Sequence, residues 1–366
     1  MKLTKFFAFA LGALAFVGCG TEGGNVTPTG NIFLTVEPST LKIGETATFI
    51  VTDSEGLDVT SAATIYFGDM ETVVNGNKFT AENGGLYTFI AMAGAEFSNQ
   101  ATVTVMAQMP AIPEDTDPAK TKFNHRAVVI DQTGVNCGYC PQATNELKKL
   151  EGTEWHQYYN EVTCHAGSYA GGDPGNSAAA NALNSFQSSL IKGYPCILVN
   201  FYGKPAGYGA SDIINYLKTY VQKDGVDVGV ALSVEGDPTN VYCAAQIKSG
   251  VEKEYKVNAW LLESKIYSPN QAGASSDLHR YYNYALRNMS AIVSNSYVIQ
   301  GESIGVIKAG GTYDYCVEIP VLSTKWNCSN MGVLVVVSAA NESGKFEVVN
   351  SRYCPVGESK SYEYAN

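Results

Sequence analysis

Hydrophobic and polar positions alternate in short runs over the first third of the chain. Apolar residues take every second place in five segments, and Gly, Asn, Asp and Ser separate these segments. The segments are residues 32–36, 47–51, 64–67, 86–91 and 101–105. A period of two is typical of strands with one buried face, and the spacing of the turn residues favours two packed sheets. The pattern predicts a β-sandwich over residues 32–107.

The pattern changes at residue 123, after a linker over residues 108–122. Pro110, Pro113 and Pro118, with acidic residues between them, predict that this linker is stiff and solvated. Strands are then predicted over residues 127–131, 162–165 and 196–201, and helices over 141–151, 177–191 and 211–223, with Ser177 as a helix cap. This order, over residues 123–225, predicts a parallel pair of strands with a right-handed crossover and a third strand added beyond the pair.

Residues 226–366 return to the strand pattern. Six segments have it: 228–234, 241–247, 255–262, 313–319, 332–338 and 346–349. Only residues 277–288 read as a helix among them. A second β-sandwich is therefore predicted at the C-terminal end.

Composition narrows the possible functions. A chain of 366 residues is too long for one ordinary core, and 45% hydrophobic with 16% charged residues indicates globular domains rather than disorder. The net charge is −11, and Lys and Arg form no cluster. An acidic chain of this kind does not bind nucleic acid by the usual electrostatic route, nor anionic membranes by a basic patch.

The first 18 residues have the pattern of a bacterial lipoprotein signal peptide. Lys2 and Lys5 precede an apolar run over residues 6–17, which is too short to span a bilayer. Phe16-Val17-Gly18-Cys19 resembles a lipobox, which implies acylation of Cys19 and a lipid anchor, such as palmitate, followed by a flexible linker over residues 19–31. The alternative is an ordinary signal peptide with an incidental cysteine.

Eight cysteines remain when Cys19 is set aside, and an even number in an exported chain favours disulfides. A turn over residues 341–344 predicts a hairpin in which Cys354 lies opposite Met331. One bulge would then bring Cys328 and Cys354 together, so a disulfide between them is predicted, with Cys316 as the competing partner.

Cys137-Gly138-Tyr139-Cys140-Pro141 follows a predicted strand and opens a predicted helix. A thiol at a helix N-terminus is stabilised as the thiolate, and a second thiol one turn later can resolve a mixed disulfide. The residues alone also permit a closed structural disulfide. A metal site would need further ligands, and no second C-x-x-C stands in the chain.

Three features make this region resemble the thioredoxin superfamily. Gly193-Tyr194-Pro195 stands before a strand, Asp131 lies six residues before Cys137, and Cys-Gly-Tyr-Cys is the sequence of periplasmic disulfide isomerases. The resemblance implies a cis Pro195 that shapes the substrate groove, and a buried Asp131 of raised pKa that relays a proton. Asp131 as a plain strand-end acid is the alternative. The family's Trp before the first cysteine is Asn136 here.

A wider resemblance, over residues 123–360, is to the 28-kilodalton outer-membrane protein family of bacterial lipoproteins. The matching pieces are Thr133-Gly134-x-x-Cys137-x-x-Cys140-Pro141, His165 with Asp173-Pro174, Gly193-x-Pro195, Leu286-Arg287 and Trp326-Asn327. This resemblance implies an outer-membrane lipoprotein with a thioredoxin-like core and an immunoglobulin-like C-terminal part. Gly85 to Phe89 with its closing strand resembles bacterial immunoglobulin-like modules. The expected fold is thus multidomain, with an N-terminal immunoglobulin-like β-sandwich, an α/β thioredoxin-like domain and a C-terminal β-sandwich.

Cys164 and Cys196 are expected on strands that flank the Cys137 strand on opposite sides, about 10 Å apart and beyond disulfide reach. They could exchange with Cys137, ligate a soft metal with it, or serve as small buried hydrophobes.

Two functions follow from these patterns. The first is thiol–disulfide exchange on exported, Cys-containing proteins by an outer-membrane lipoprotein facing the periplasm or the outside, with Cys137 attacking, Cys140 resolving and no cofactor. The second is a non-catalytic surface binding or adhesion lipoprotein whose C-x-x-C is a structural disulfide.

Overall fold

A computed structural model describes residues 27–365 of the chain. The predicted signal peptide, the predicted lipidation site Cys19 and most of the flexible linker lie outside the described residues. The described part is mostly β-structure, with twenty-four strands and three α-helices.

The N-terminal strands form two packed sheets. They are β1 (Ile32–Glu37), β2 (Thr40–Lys42), β3 (Thr46–Asp53), β4 (Thr64–Phe67), β5 (Lys78–Thr80), β6 (Gly85–Ala93), β7 (Glu96–Phe97) and β8 (Ala101–Met106). One sheet has the order β1-β3-β5 and the other β2-β8-β6-β4, with β7 beside β6. Alternate apolar residues of both sheets meet between them, and the rings of Phe49 and Phe89 lie 4.7 Å apart. All five strands predicted here are present.

Alternating strands and helices follow, as predicted. They are β9 (Ala127–Thr133), α1 (Cys140–Glu151), β10 (Tyr159–His165), α2 (Ala178–Phe186), β11 (Cys196–Val199) and α3 (Ala210–Tyr220). β10 runs parallel to β9, and β11 lies antiparallel on the other side of β9. α1 and α3 cover one face of these strands, and α2 covers the other.

The boundaries of all three helices differ from the prediction, and α3 ends at Tyr220 instead of residue 223. α1 begins at Cys140, so Cys137 lies in the turn before the helix rather than at its N-terminus. α2 is capped by the Ser177 hydroxyl, as predicted, but it ends at Phe186 instead of residue 191.

The remaining strands build the C-terminal part. They are β12 (Val228–Gly236), β13 (Asn240–Ser249), β14 (Lys253–Glu263), β15 (Ile266–Tyr267), β16 (Tyr281–Tyr282), β17 (Ala285–Met289), β18 (Ile292–Val293), β19 (Ser296–Tyr297), β20 (Glu302–Ile307), β21 (Thr312–Pro320), β22 (Met331–Ala340), β23 (Phe346–Pro355) and β24 (Glu358–Lys360). A sheet of order β21-β13-β12-β24 packs against β14, β20 and β22 over a core rich in Val.

One sheet joins the α/β part to the C-terminal part. Its order is β11-β9-β10-β17-β14-β22-β23, with β20 also paired to β14. The junction is β17, which pairs parallel to β10 through Thr163 and Ala285, and antiparallel to β14. The chain leaves the α/β part near residue 225, but the sheet continues across both parts.

The predicted helix over residues 277–288 is wrong. A short 3₁₀ turn (Asp277–His279) is followed by β16 and β17. All five residues of β17 are buried, because the strand is covered on both faces. A strand covered in this way shows no alternation, so its apolar spacing can be mistaken for a helix.

The predicted disulfide between Cys328 and Cys354 is also wrong, because both cysteines are free. The hairpin turn closes between Asn341 and Lys345, and a bulge follows at Val337 and Ser338. These two shifts place Cys354 opposite Val333 instead of Met331.

The linker over residues 108–122 is mostly exposed, as predicted, but at Asp115 it is held against the C-terminal part. The Asp115 carboxylate lies 2.7 Å from the ammonium group of Lys248, which is 2% exposed, and it also accepts a hydrogen bond from Tyr364.

Candidate functional site

Cys137 and Cys140 form a disulfide, with an S–S distance of 2.01 Å and Cα atoms 5.4 Å apart. The turn Gly138-Tyr139 follows β9, and Cys140 begins α1, so the two sulfurs lie at one end of the sheet. Both cysteines are buried, with exposed fractions of 2% for Cys137 and 1% for Cys140. Tyr139 between them is 69% exposed.

Asp131 is buried on the face of β9 that α1 covers. It lines a small cavity of about 60 Å³ together with Cys140. One of its carboxyl oxygens has no hydrogen-bond partner within the described residues. Burial raises the pKa of Asp131 to about 7, because a charge there would lose its hydration. Near neutral pH this carboxyl group can therefore either give or take a proton.

Glu161 lines the same cavity, and sequence reasoning missed it. Burial and the nearby Asp131 raise the pKa of Glu161 to about 8. The available signal was strand alternation: Tyr159, Glu161 and Thr163 share one face of β10, and Tyr159 packs in the core beneath α1. A glutamate on that face faces the same helix as Asp131.

Pro195 follows a cis peptide bond after Tyr194, as the resemblance implied. Tyr139 and Pro195 line one groove of about 360 Å³, so the proline loop and the disulfide turn are adjacent. Lys192 and Lys204 line the same groove, with Tyr194 and Tyr208.

A cover segment, residues 268–280 between β15 and β16, lies over the disulfide. The backbone amide of Ala272 donates to the carbonyl oxygen of Val135 at 2.8 Å, and the side-chain amide of Gln271 donates to that of Cys137 at 3.2 Å. Gly273 is so close that an added Cβ would lie 2.1 Å from the carbonyl oxygen of Gly138. This segment accounts for the burial of Cys137. It was not expected from the sequence, because its last residues, 277–280, were predicted to be helical.

His165 and Asp173 form a buried pair, and His165 lines the small cavity that Asp131 and Cys140 also line. The imidazole Nδ1 of His165 donates to the Asp173 carboxylate at 2.9 Å, and the amide of Val135 donates to the same oxygen at 2.6 Å. Burial acts to raise the pKa of Asp173, but these hydrogen bonds outweigh it and keep the pKa below its ordinary value. The pair thus anchors the loop that leads to Cys137.

Arg287 is buried in the sheet and lies among several residues of the motifs that carry the outer-membrane protein resemblance. Its guanidinium lies 2.6 Å from the Glu263 carboxylate, donates to the carbonyl oxygen of Pro174 at 2.8 Å, and lies 5.0 Å from the ring of Trp326. The amide of Asn327 donates to the other oxygen of Glu263. These motif residues hold the loop after β10 against the C-terminal strands.

Cys164 and Cys196 flank β9 on opposite sides, as expected, and both pair in register with Gln132. Both are free thiols. Burial raises the pKa of each, which disfavours the reactive thiolate form. Within residues 27–365, no group of three or more His, Cys, Asp or Glu side chains is placed to hold a metal ion.

No protein-family model matches the chain. No curated protein matches it in sequence. Among solved structures, HBP35 of Porphyromonas gingivalis is similar, with a TM-score of 0.51 and 16% identity over 66% of this chain and 78% of that one. At this identity the similarity concerns the fold alone.

Two further solved structures match with much lower scores. The Yersinia pseudotuberculosis adhesin InvE has a TM-score of 0.19 and 9% identity over 90% of this chain and 59% of that one. Three N-terminal domains of the bacteriophage RB49 outer capsid protein Hoc have a TM-score of 0.17 and 9% identity over 92% of this chain and 71% of that one. TM-scores this low do not indicate a shared fold.

None of the helices within residues 27–365 combines the length and the apolar character needed to cross a bilayer.

Proposed function

We propose that this protein is an outer-membrane lipoprotein whose thioredoxin-like part exchanges disulfides with exported, Cys-containing proteins. The observation that carries the proposal is Asp131, a buried carboxyl group with an unpartnered oxygen in the cavity that Cys140 lines. Burying such a group without a partner costs stability. A purely structural disulfide has no use for it, whereas a thiol that must lose and regain a proton does.

The exchange begins from the reduced protein. The Cys137 thiolate attacks a substrate disulfide, so that a bond forms between Cys137 and one substrate sulfur while the other substrate sulfur leaves as a thiolate. Cys140 then attacks Cys137 and releases the second substrate thiol, which leaves the disulfide seen here. The substrate gains two electrons and the protein loses two. The reverse reaction passes the disulfide to a substrate dithiol, so alternation between the two directions needs no further redox partner.

The groove beside Pro195 supports a peptide substrate. It is open to solvent, it borders Tyr139 of the disulfide turn, and aromatic side chains line it. A substrate chain bound there would bring its sulfur to the turn that contains Cys137.

The alternative is a surface-binding lipoprotein in which the disulfide is structural. The low exposure of Cys137, 2%, favours it, because an attacking sulfur must reach that atom. Exchange therefore requires that the cover segment move away from the turn.

Trapping in whole cells distinguishes the two functions. Cys140→Ser leaves Cys137 able to attack but removes the resolving thiol, so mixed disulfides with exported proteins should accumulate. The matched control is the double variant Cys137→Ser, Cys140→Ser, which should form none. If Cys140→Ser forms no Cys137-linked adducts, the enzyme proposal is wrong and the binding function replaces it.

The proposed membrane anchor is tested separately. Cys19→Ser removes the only acylation site that the sequence predicts, so the exported variant should appear in the soluble envelope fraction. A variant that still sediments with membranes would show that another contact holds the protein there.

A further inference from the structure

We propose that Glu161 is the solvent-side half of a two-carboxyl proton path that serves Cys140 through Asp131. The inference rests on the proposed exchange activity, and it adds a positioning residue that the sequence motifs do not contain.

The path is defined by two cavities that share Glu161, and Tyr284 and the Lys148-paired Glu151 also line both of them. The inner one, of about 60 Å³, is lined by Cys140, Asp131 and Glu161. The outer one is a cleft of about 590 Å³ that opens to solvent beside Tyr159 and is also lined by Glu161. Asp131 and Cys140 do not line the cleft. The inner cavity has room for a bridging water, so a proton can pass between groups that are not in direct contact.

Strand register places the two carboxyl groups near each other. Asp131 of β9 lies opposite Thr163 of β10, and Glu161 is two residues earlier on the same face of β10. The side chains are therefore diagonal neighbours beneath α1.

The charged groups around the pair have partners of their own. On α1, Lys148 lies 2.5 Å from Glu151. On the strands, Arg126 pairs with Glu363, and His165 pairs with Asp173. In the cover segment, the Nε2 of His279 lies 2.9 Å from the side-chain oxygen of Asn145. Glu154 and His156 border the cleft but do not line the inner cavity.

Glu161 itself has no ion pair or side-chain hydrogen bond to another residue among positions 27–365. Two neighbouring carboxyl groups without a cation of their own cannot both ionise easily, so the pair retains a proton near neutral pH. The raised pKa values of Asp131 and Glu161 agree with this.

The proton path works in both directions of the exchange. When an incoming thiolate attacks Cys137, the sulfur–sulfur bond to Cys140 breaks and Cys140 leaves as a thiolate. The carboxylic acid of Asp131 protonates that thiolate, Glu161 returns a proton to Asp131, and solvent in the cleft restores Glu161. In the other direction, Cys140 gives its proton to Asp131, and Glu161 releases one to the cleft.

The test uses the full-length lipoprotein and its Glu161→Gln variant, which keeps the side-chain shape but cannot carry the acid proton. Reduction of the disulfide by dithiothreitol in a single turnover should slow by about tenfold or more near pH 7, as expected on loss of a proton-transfer group. Glu154→Gln, at the same cleft but outside the inner cavity, is the control and should keep the wild-type rate. Glu161→Asp should recover part of the loss.

A second readout does not depend on activity. Infrared titration of buried carboxyl groups should show two coupled steps near pH 7 to 8 in the wild-type protein, and one step in Glu161→Gln. Equal reduction rates for Glu161→Gln and Glu154→Gln, or two steps retained in Glu161→Gln, would overturn the inference. If Glu161→Gln does not fold, Glu161→Ala takes its place, and an unchanged rate with two retained titration steps in that variant would overturn the inference as well.

Failure of the proposed exchange function can be told apart from failure of this inference. If the exchange function is wrong, Cys140→Ser traps no substrate protein, while dithiothreitol reduction and infrared titration still test the role of Glu161.

Discussion

Gly273 lies directly against Gly138, in the turn between the two bonded cysteines. A Cβ on Gly273 would be 2.1 Å from the carbonyl oxygen of Gly138, so only glycine permits this approach. The two residues are distant in sequence, yet their contact decides how far Cys137 is exposed. Access to the disulfide is therefore controlled by residues of the C-terminal part.

Gly273→Ala should push the cover segment away from the disulfide. The clash is with backbone, which cannot rotate aside, so the segment must shift as a whole. Reduction of the Cys137–Cys140 bond by dithiothreitol should become faster. Gly310→Ala is the matched control, because Gly310 has a similar positive φ, 76° against 71°, and open space around it. Equal reduction rates for the two variants would contradict the role of the cover segment.

Asp131→Asn should stabilise the protein at neutral and alkaline pH. The pKa of Asp131 is about 7 when folded and near 3.8 when unfolded, so the folded state binds a proton that the unfolded state has released between these values. Wild-type stability should consequently fall as pH rises from about 4 to about 7, by about 4 kcal/mol at most. The stability of Asp131→Asn should not decrease in this way, because asparagine does not ionise.

Urea unfolding at pH 4, 6 and 8 measures the effect. The advantage of Asp131→Asn should be near zero at pH 4 and largest at pH 8. Glu342→Gln, at the exposed hairpin turn, serves as the control. An advantage that does not change with pH would mean that Asp131 is ionised at all three values.

Glu263→Gln should destabilise the protein strongly. Glu263 and Arg287 are both almost fully buried, and the variant leaves the guanidinium without its charge partner. Removal of one partner of a buried pair costs about 3–5 kcal/mol. The free energy of unfolding in urea gives the value. Glu358→Gln breaks an exposed pair with Lys360 and should cost about 1 kcal/mol or less. Similar losses for both variants would contradict this account.

Thiol labelling should distinguish Cys316 from the other free cysteines. Cys316 is exposed, whereas Cys164, Cys196, Cys243, Cys328 and Cys354 are buried. Iodoacetamide should modify only Cys316 among these six in the folded protein, and all six after denaturation without reductant. Mass spectrometry of the peptides identifies the sites. Protection of Cys328 and Cys354 after denaturation would restore the disulfide that the sequence suggested.

The sequence by itself determined the local features of this protein. Alternation located the strands of the N-terminal sandwich, and the order of strands and helices predicted the parallel pair of β9 and β10. The burial of Asp131 was implied by the resemblance to the thioredoxin superfamily, and a bond between Cys137 and Cys140 was one of the outcomes that the residues allowed. These features depend on periodicity and on contacts within a few turns of chain, so a linear pattern records them.

Tertiary structure decided what covers the disulfide and what surrounds Asp131. The pairing of Thr163 with Ala285 inserts β17 beside β10, and this insertion brings the cover segment onto the turn of Cys137. The cavity that joins Asp131 to Glu161 needs the same sheet. A buried strand shows the same apolar run whichever strand lies beside it, so its partner cannot be inferred from its residues. The choice is made by the packing of the whole core, where distant segments must fill the same space without voids.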